Sequence, residues 1–280
     1  MTLPASTQVG RLCIESRHLP ATQGGGDIHD VMATSFGIRL LIGDVMGTGL
    51  PANRTGLSVL NAWRELACTE PSLAGVAIRL HALIARSEHP ERFVTALLVN
   101  FPSAADLDGE GGGSRASGPW AEIVCCGHPP PLLLRGGSAA FIEPAAAPPL
   151  GLLDLAGGWC QPSMVPIAVG DQLLFYTDGV SEARDAAGRF FPLAERTAQA
   201  LHPGGPGHGP GNGTGHPTGH STGHSTGGPH LLDALVASLN AHVGDRVTDD
   251  ILLLLVTMRS GSPGVGTLLS PGRRRAPSWA

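Results

Sequence analysis

Apolar residues recur along the chain with two different spacings, and each spacing predicts one kind of secondary structure. Recurrence every three or four residues predicts helices over 50–68, 72–87, 192–201 and 231–243. Continuous or alternating apolar runs predict strands near 9–18, 36–44, 92–101, 120–126, 131–135, 172–177 and 251–258. Because strands and helices are grouped and joined by short hairpin links, the pattern favours an antiparallel α+β layered domain over a parallel one.

The first two predicted helices each carry an apolar stripe on one face. The predicted stripe of the first helix holds Leu57, Leu60, Trp63, Arg64 and Ala67. The predicted stripe of the second holds Leu73, Val76, Ala77, Leu80 and Ile84. Both faces are expected to pack against a sheet.

Low-complexity sequence interrupts the apolar pattern. The stretch 201–230 is rich in Gly, Pro and His, and it has little that could be buried. The stretch 102–119 resembles a long hairpin loop between two strands, and the tail from 261 has the composition of a frayed terminus. The prediction is one domain over 1–260, with a disordered insertion at about 202–230 and a disordered tail at 261–280. The histidines of the insertion are interpreted as part of a solvated linker, with weak transition-metal binding as the alternative.

Composition excludes several classes of function. The chain has 280 residues, 42% of them hydrophobic, and a formal net charge of -5, so a packed domain without a basic nucleic-acid footprint is expected. No apolar run is long enough to span a membrane, and the first residues lack the layout of a signal peptide, which favours the cytoplasm. The 5 cysteines lack the spacing of a zinc site or a disulfide framework and are expected to fill the core.

Aspartates stand at the edges of several predicted strands. Asp27 and Asp30 lie in GGGDIHDV, Asp44 in IGDVMG, Asp178 in FYTDGVSE, and Asp249 and Asp250 in VTDDILLLLV. A single aspartate of this kind is most often a turn or cap residue. Several that converge would repel one another without a multivalent cation, and oxygen ligands favour Mg²⁺ or Mn²⁺ over zinc.

Glycines flank these aspartates, and each has a predicted purpose. Gly43 and Gly47 would let the backbone approach a metal or phosphate closely, which offers the Val45 carbonyl as a further ligand. Gly179, directly after Asp178, would permit a turn that is closed to residues with a Cβ.

An ordered set of motifs covers the chain from 9 to 258. It comprises PATQGGGDIHDV, IGDVMGTGLPA, RFVTALLV, CCGHPPPLLL, PLGL, GDQLLFYTDGVSEARDAAGRFF and DDILLLLV. Together these motifs resemble the SpoIIE (sporulation stage II E) type of PPM, or PP2C-like, protein serine/threonine phosphatase domain. The resemblance implies a four-layer αββα sandwich, two antiparallel sheets flanked by helices, with a two-metal centre at one end of the sheets.

The resemblance also implies roles for individual residues. Asp44 would bridge two divalent cations, Mn²⁺ or Mg²⁺, with the Val45 carbonyl on one of them and Asp178 and Asp249 completing the other. Asp27 would act through metal-bound water. The second-line candidates are Asp30 and Asp250, because the register of neighbouring acids is not set by the sequence.

Two basic residues near the motifs have both a functional and a structural interpretation. Arg17 precedes the first motif and would hold a substrate phosphate, although a strand-edge arginine in solvent is the favoured interpretation. His128 matches the family text, but the prolines after it favour a structural turn over a catalytic role.

The implied activity is hydrolysis of phosphoserine or phosphothreonine on a protein, by attack of water held between the two cations. By resemblance, the expected substrate is a phosphorylated anti-sigma-factor antagonist. The chain departs from the family pattern at Ile28-His29, Thr48 and Leu252, none of which is a proposed ligand. Two alternatives stay open: a catalytically weak module that binds a phosphorylated partner, and an enzyme for small phosphoesters. A homodimer is a further expectation. Because the domain leaves no room for a sensor domain in the chain, control of the activity is expected to come from a separate protein, from self-association or from the insertion.

Overall fold

The computed structural model describes residues 6–20, 26–87, 91–102, 119–202, 228–244 and 249–260. Within these residues the chain forms two sheets with helices on their outer faces. The strands are β1 (Ser6–Val9), β2 (Leu12–Leu19), β3 (Asp27–Thr34), β4 (Gly37–Val45), β5 (Val94–Phe101), β6 (Trp120–Cys126), β7 (Leu132–Arg135), β8 (Ser138–Phe141), β9 (Ala146–Ala147), β10 (Ser163–Pro166), β11 (Gln172–Tyr176) and β12 (Ile251–Met258). The helices are α1 (Gly49–Thr69), α2 (Leu73–Ala85), α3 (Asp178–Ser181), α4 (Leu193–Leu201) and α5 (Gly228–Val243), with a 3-10 turn at Leu153–Ala156.

The strand order of the first sheet is β1-β2-β12-β11-β7-β8. In the second sheet it is β10-β6-β5-β4-β3, with β9 added in parallel to β6. All other strand pairs of these two sheets are antiparallel. The strands β11 and β12 are therefore neighbours in one sheet, and β3 and β4 are neighbours in the other.

Three apolar clusters hold the layers together. One lies between the sheets and contains inward-facing residues of both, among them Ile14, Ile42, Leu97 and Leu254. A second cluster joins the outer face of the second sheet to α1 and α2, and a third joins the outer face of the first sheet to α3, α4 and α5. The layers therefore run helix, sheet, sheet, helix, which confirms the predicted α+β sandwich.

The predicted helices and strands largely agree with the observed ones, with differences that have physical reasons. The predicted strand 9–18 is broken by a turn at Gly10, whose φ is +55°, so that β1 and β2 form a hairpin. The apolar pattern does not predict β3, because this strand lies at the edge of a sheet and its sequence, DIHDVMAT, mixes polar with apolar residues. It also misses the short strands β8, β9 and β10, since two to four residues carry little periodic signal.

The helix α2 buries its predicted stripe, but the predicted face of α1 is wrong at one position. Leu57 is 59% exposed, and the buried face carries Gly56 instead. A Cβ at Gly56 would lie 2.9 Å from Cγ2 of Ile28, so the helix packs on the sheet where it has no side chain. An apolarity pattern does not score glycine, and it therefore selected Leu57 in place of Gly56, whereas Leu60, Trp63 and Ala67 are buried as predicted.

Several predictions fall on residues outside the described ranges. These residues are the tail 261–280, most of the insertion (203–227) and the loop 103–118. The two strands that this loop joins, β5 and β6, are antiparallel neighbours, as expected of a hairpin. The helix α5 begins at Gly228, before the predicted start at 231. Among the helices of the described chain, none combines the length and apolarity needed to cross a membrane.

The cysteines of the described chain are free, as expected, but only part of them fill the core. Cys125, Cys126 and Cys160 are buried, whereas Cys68 is exposed and Cys13 is half-buried.

Candidate metal centre

Two of the predicted ligands face each other across one hairpin of the second sheet. Asp27 begins β3 and Asp44 lies near the end of β4, and the register pairs them directly. The N–H of Val45 donates a 3.1 Å hydrogen bond to the carbonyl of Gly26, which closes this end of the hairpin. The hairpin thus fixes two carboxylates on neighbouring strands.

The other predicted ligands come from the first sheet. Asp178 begins α3 directly after β11, and Asp249 and Asp250 directly precede β12, the neighbour of β11. A Cβ at Gly179 would collide with the carbonyl oxygen of Asp250. Glycine is therefore needed at 179 for close approach of two backbones, and not for the special turn that the sequence suggested, since its φ is not positive.

The charges of these carboxylates act on one another. Burial raises the pKa of Asp27 to about 9, with contributions from the charges of Asp44, Asp250 and Asp178. Burial also raises the pKa of Asp44 to about 7, with contributions from Asp178, Asp249 and Asp250. The pKa of Asp178 is raised by burial and by the charge of Asp249. The tertiary structure therefore gathers carboxylates from both sheets at one end of the sandwich. We call this group the carboxylate cluster, and its members are Asp27, Asp44, Asp178, Asp249 and Asp250.

The cluster has the chemistry of a divalent cation site. Its donors are carboxylate oxygens, which suit Mg²⁺ and Mn²⁺, and a cation would offset the repulsion that, together with burial, raises the pKa values of Asp27, Asp44 and Asp178. The backbone is also tightly packed beside the cluster. A Cβ at Gly26 would lie 2.7 Å from Oδ1 of Asp44 and would collide with the Val45 carbonyl. The residues present therefore fit the cations that the sequence predicted.

Two threonines that the sequence analysis did not single out support the cluster. The Thr177 hydroxyl donates a 2.9 Å hydrogen bond to Oδ2 of Asp27 and accepts one of 3.0 Å from the N–H of Leu252. The Asp44 N–H donates to the Thr95 hydroxyl at 3.3 Å, and that hydroxyl lies 3.2 Å from Nδ1 of His128. Thr177 directly precedes Asp178, and this adjacency is the only signal in the sequence that points to it.

His128 is buried and held by these contacts, in keeping with the structural interpretation. Burial lowers its pKa to about 4, so the imidazole is neutral near pH 7. Thr95 is the cross-strand partner of Asp44, so the contact with Thr95 places the buried His128 beside Asp44.

Two other candidates lie away from the cluster. Asp30 faces α1, where Oδ2 accepts a 2.7 Å hydrogen bond from Nε of Arg64. Arg17 contacts Asp233 of α5 at 2.7 Å, on the helical side of the first sheet. Successive side chains of a strand point to opposite faces of the sheet, so Asp30 and Asp27 lie on opposite faces of β3. For the same reason Arg17 and His18 lie on opposite faces of β2. Neither side chain is placed to take the predicted role.

Two histidines stand at the margin of the cluster. Nε2 of His18, on β2, lies 3.8 Å from Oδ2 of Asp250. His29 follows Asp27 by two residues on β3, and burial together with the charge of His18 lowers its pKa to about 4. In the sequence, His29 stands out only as a departure from a family pattern, and His18 lies outside all of the motifs.

A comparison with models of protein families identifies the family of this chain. The profile of the stage II sporulation protein E (SpoIIE) family matches residues 34–210, which is more than half of the chain. The chain belongs to the SpoIIE family. A search of curated protein sequences finds no match.

Solved structures similar to this SpoIIE-family chain share its fold. The structure of the RsbU and RsbW domains of Rv1364c from Mycobacterium tuberculosis has a TM-score of 0.67 and 22% identity, over 92% of this chain and 63% of that one. The PP2C phosphatase domain of SpoIIE from Bacillus subtilis, with a fragment of its regulatory domain, has a TM-score of 0.64 and 14% identity, over 91% and 65%. RsbX in complex with magnesium has a TM-score of 0.57 and 12% identity, over 90% and 98%. The chain thus spans less than two thirds of the length of the first two structures.

A cavity opens beside the cluster of this SpoIIE-family chain. It has a volume of about 480 Å³ and includes Gly179, Glu182, Arg184, Val243, Asp249 and Ile251 in its lining. The guanidinium of Arg184 lies 3.8 Å from the centre of the Phe190 ring and donates a 3.0 Å hydrogen bond to the Gly188 carbonyl. The wall of the cavity therefore carries the cation of Arg184 together with the acids Glu182, Asp185 and Asp249, and Asp249 is one of the predicted metal ligands.

Proposed function

We propose that the chain is a metal-dependent protein phosphatase that hydrolyses phosphoserine or phosphothreonine. The observation that carries this proposal is the carboxylate cluster, in which acidic groups from both sheets converge at one end of the sandwich. Burial and the charges of the neighbouring acids raise the pKa values of Asp27, Asp44 and Asp178. Acidic groups in such an arrangement favour a bound cation, and membership of the SpoIIE family supports a phosphatase.

Asp44, Asp178 and Asp249, with the Val45 carbonyl, would hold two divalent cations, Mn²⁺ or Mg²⁺. When bound, such cations lower the pKa of water and offset the charge that develops on phosphoryl oxygens. Asp27, buried between Thr177 and the other acids, would orient water at the centre through hydrogen bonds. The similar protein RsbX has been crystallised with magnesium, which supports a cation of this class.

The cavity beside Asp178 and Asp249 would accept the phosphorylated side chain. Its volume of about 480 Å³ leaves room for the phosphorylated residue together with adjoining backbone. Arg184 in its wall would attract the phosphate or an acidic neighbour of it. We propose a phosphorylated anti-sigma-factor antagonist as the substrate, which the similarity to a structure that joins RsbU and RsbW domains supports.

Phosphate release is the direct test. The full chain would be assayed on a phosphoserine-containing antagonist protein and on p-nitrophenyl phosphate, with Mn²⁺, with Mg²⁺ and with EDTA. We expect release that needs the cation and a higher kcat/KM on the protein substrate. Asp44→Asn should lose this release, whereas Asp154→Asn, which changes a carboxylate that is 80% exposed, should keep it.

The outcomes separate the alternatives. Binding of the phosphorylated protein without release in any cation would favour a phospho-partner binding module. Equal kcat/KM on both substrates would favour an enzyme for small phosphoesters. Release that Asp44→Asn retains would show that the carboxylate cluster is not the catalytic centre.

A further inference from the structure

A second set of metal-binding groups lies on the margin of the carboxylate cluster. One ligand atom each from His18, Asp27 and Asp250 lies within 4.8 Å of the other two. Nε2 of His18 and Oδ2 of Asp250 are 3.8 Å apart. That separation is too long for a hydrogen bond. Atoms bound about 2.1 Å from one cation lie roughly 3 to 4 Å from each other, so the same separation suits two ligands of one ion.

The fold holds these groups in place. His18 on β2 is the cross-strand partner of Leu252 on β12, two residues after Asp250. The N–H of Leu252 donates to Thr177, whose hydroxyl in turn donates to Asp27. Strand pairing therefore sets the backbone positions of His18 and Asp250, and this hydrogen-bond chain holds the Asp27 side chain, before any ion binds. The side chain of His18 is 32% exposed and that of Asp250 is 6% exposed, which leaves an approach from solvent on the histidine side.

The donor set differs from that of the carboxylate cluster in one chemical respect. An imidazole nitrogen suits zinc and other transition metals, whereas Mg²⁺ prefers oxygen donors. Asp27 has two carboxylate oxygens, so it can contribute to this set and still face Asp44. A second imidazole stands nearby, because His29 lies two residues after Asp27 and therefore on the same face of β3. Its Nε2 is buried and has no hydrogen-bond partner in the described part of the chain.

We propose that His18, Asp27 and Asp250 form a mixed nitrogen and oxygen site for a transition-metal dication of the Zn²⁺ class. This site shares Asp27 with the proposed phosphatase centre, but it contains none of Asp44, Asp178 and Asp249, and it does not depend on the phosphatase activity. The imidazole of His18 is the group that gives it preference for Zn²⁺ over Mg²⁺.

Nuclear magnetic resonance of the histidine side chains tests the site. The full chain would be labelled with ¹⁵N in its imidazole rings, and the cross-peak that is missing from His18→Gln identifies His18. We expect one equivalent of Zn²⁺ to shift this cross-peak and Mg²⁺ to leave it in place. Each histidine gives its own signal, so zinc bound by histidines of the segment 203–227 is seen separately.

Variants locate the ion. Asp250→Asn should weaken the Zn²⁺ affinity read from the His18 signal by at least about tenfold, since even partners outside the coordination sphere change metal affinity by that factor. Asp44→Asn should leave the His18 shift in place, and His202→Gln serves as a matched control on an exposed histidine. Circular dichroism would verify that each variant is folded.

Two results would overturn the proposal. A His18 signal that Zn²⁺ does not shift would show that His18 is not a ligand. A shift that Asp44→Asn abolishes and Asp250→Asn preserves would place the ion with Asp44, Asp178 and Asp249 instead. Neither result bears on phosphate release, so the failure of this site and the failure of the proposed function are distinguishable.

Discussion

The Thr177 hydroxyl donates a 2.9 Å hydrogen bond to Oδ2 of Asp27, and this bond joins the two sheets where the carboxylates meet. Thr177 follows β11 of the first sheet, whereas Asp27 begins β3 of the second. The same hydroxyl accepts a hydrogen bond from the N–H of Leu252. One buried side chain thus connects the backbone of β12 to an acid of the other sheet.

Replacing Thr177 tests this connection. Thr177→Val should lower the free energy of unfolding by about 1 to 3 kcal/mol, because a buried N–H and a buried carboxyl both lose their partner. Thr177→Ser keeps the hydroxyl and should recover most of the loss. Urea unfolding in EDTA measures the stability, and phosphate release should follow the same order. Equal stability and activity of the valine and serine variants would contradict the role assigned to this hydroxyl.

The raised pKa values of the cluster predict how stability depends on pH in the metal-free protein. The pKa rises from 3.8 to about 9 for Asp27 and to about 7 for Asp44, so the folded chain holds protons that the unfolded chain has released. The stability contributed by these acids is complete below the unfolded value and is lost as pH rises through the folded values.

Asp27→Asn and Asp44→Asn measure this loss, since an amide stays neutral at every pH. In EDTA, Asp27→Asn should gain stability relative to the original chain as pH rises from about 4 to about 9, and Asp44→Asn as pH rises from about 4 to about 7. Saturating Mn²⁺ should reverse both differences. Denaturation curves at several pH values give the comparison, with Asp154→Asn as an exposed control. Differences that do not change with pH would show that the pKa values of Asp27 and Asp44 are not raised in the folded chain.

Gly26 tests the close packing of the backbone behind the cluster. In Gly26→Ala the new methyl group would meet the Val45 carbonyl and Oδ1 of Asp44, so the end of the β3–β4 hairpin must shift. We expect weaker Mn²⁺ binding and a loss of phosphate release, both measured on the purified full chain. Gly157→Ala is a useful comparison, because its φ is positive but its Cβ meets nothing within 4 Å. It should cost stability without weakening Mn²⁺ binding.

Arg39 tests a feature of the fold that lies away from the cluster. Its guanidinium is fully buried and donates hydrogen bonds to the carbonyls of Ala67, Glu70 and Pro71 at the end of α1. Arg39→Met should lower the free energy of unfolding by about 2 to 4 kcal/mol, because these carbonyls lose a charged donor. The control is Arg79→Met on α2, where the side chain is 59% exposed. Urea unfolding that does not separate the two variants would contradict this prediction.

The sequence predicted the elements and most of the cluster because both have local signals. Periodic apolar residues identified α2 and its buried face, and acids beside glycine at strand ends identified Asp44 and Asp178. The face of α1 needed the structure, since the close contact at Gly56 depends on the sheet beneath it. Asp30 could have been separated from Asp27 by strand alternation, but only once β3 was known to be a strand.

The sequence by itself determined the layered α+β class, the family and the acids that stand at strand ends, because apolar periodicity and motif order are properties of the chain. Only the tertiary structure decided which of these acids meet. Asp27 and Asp44 come from one sheet, and Asp178, Asp249 and Asp250 from the other, so their convergence depends on how the two sheets stack. The same stacking brings Thr177 to Asp27, and strand pairing brings His18 to Asp250, across distances along the chain that no local pattern encodes.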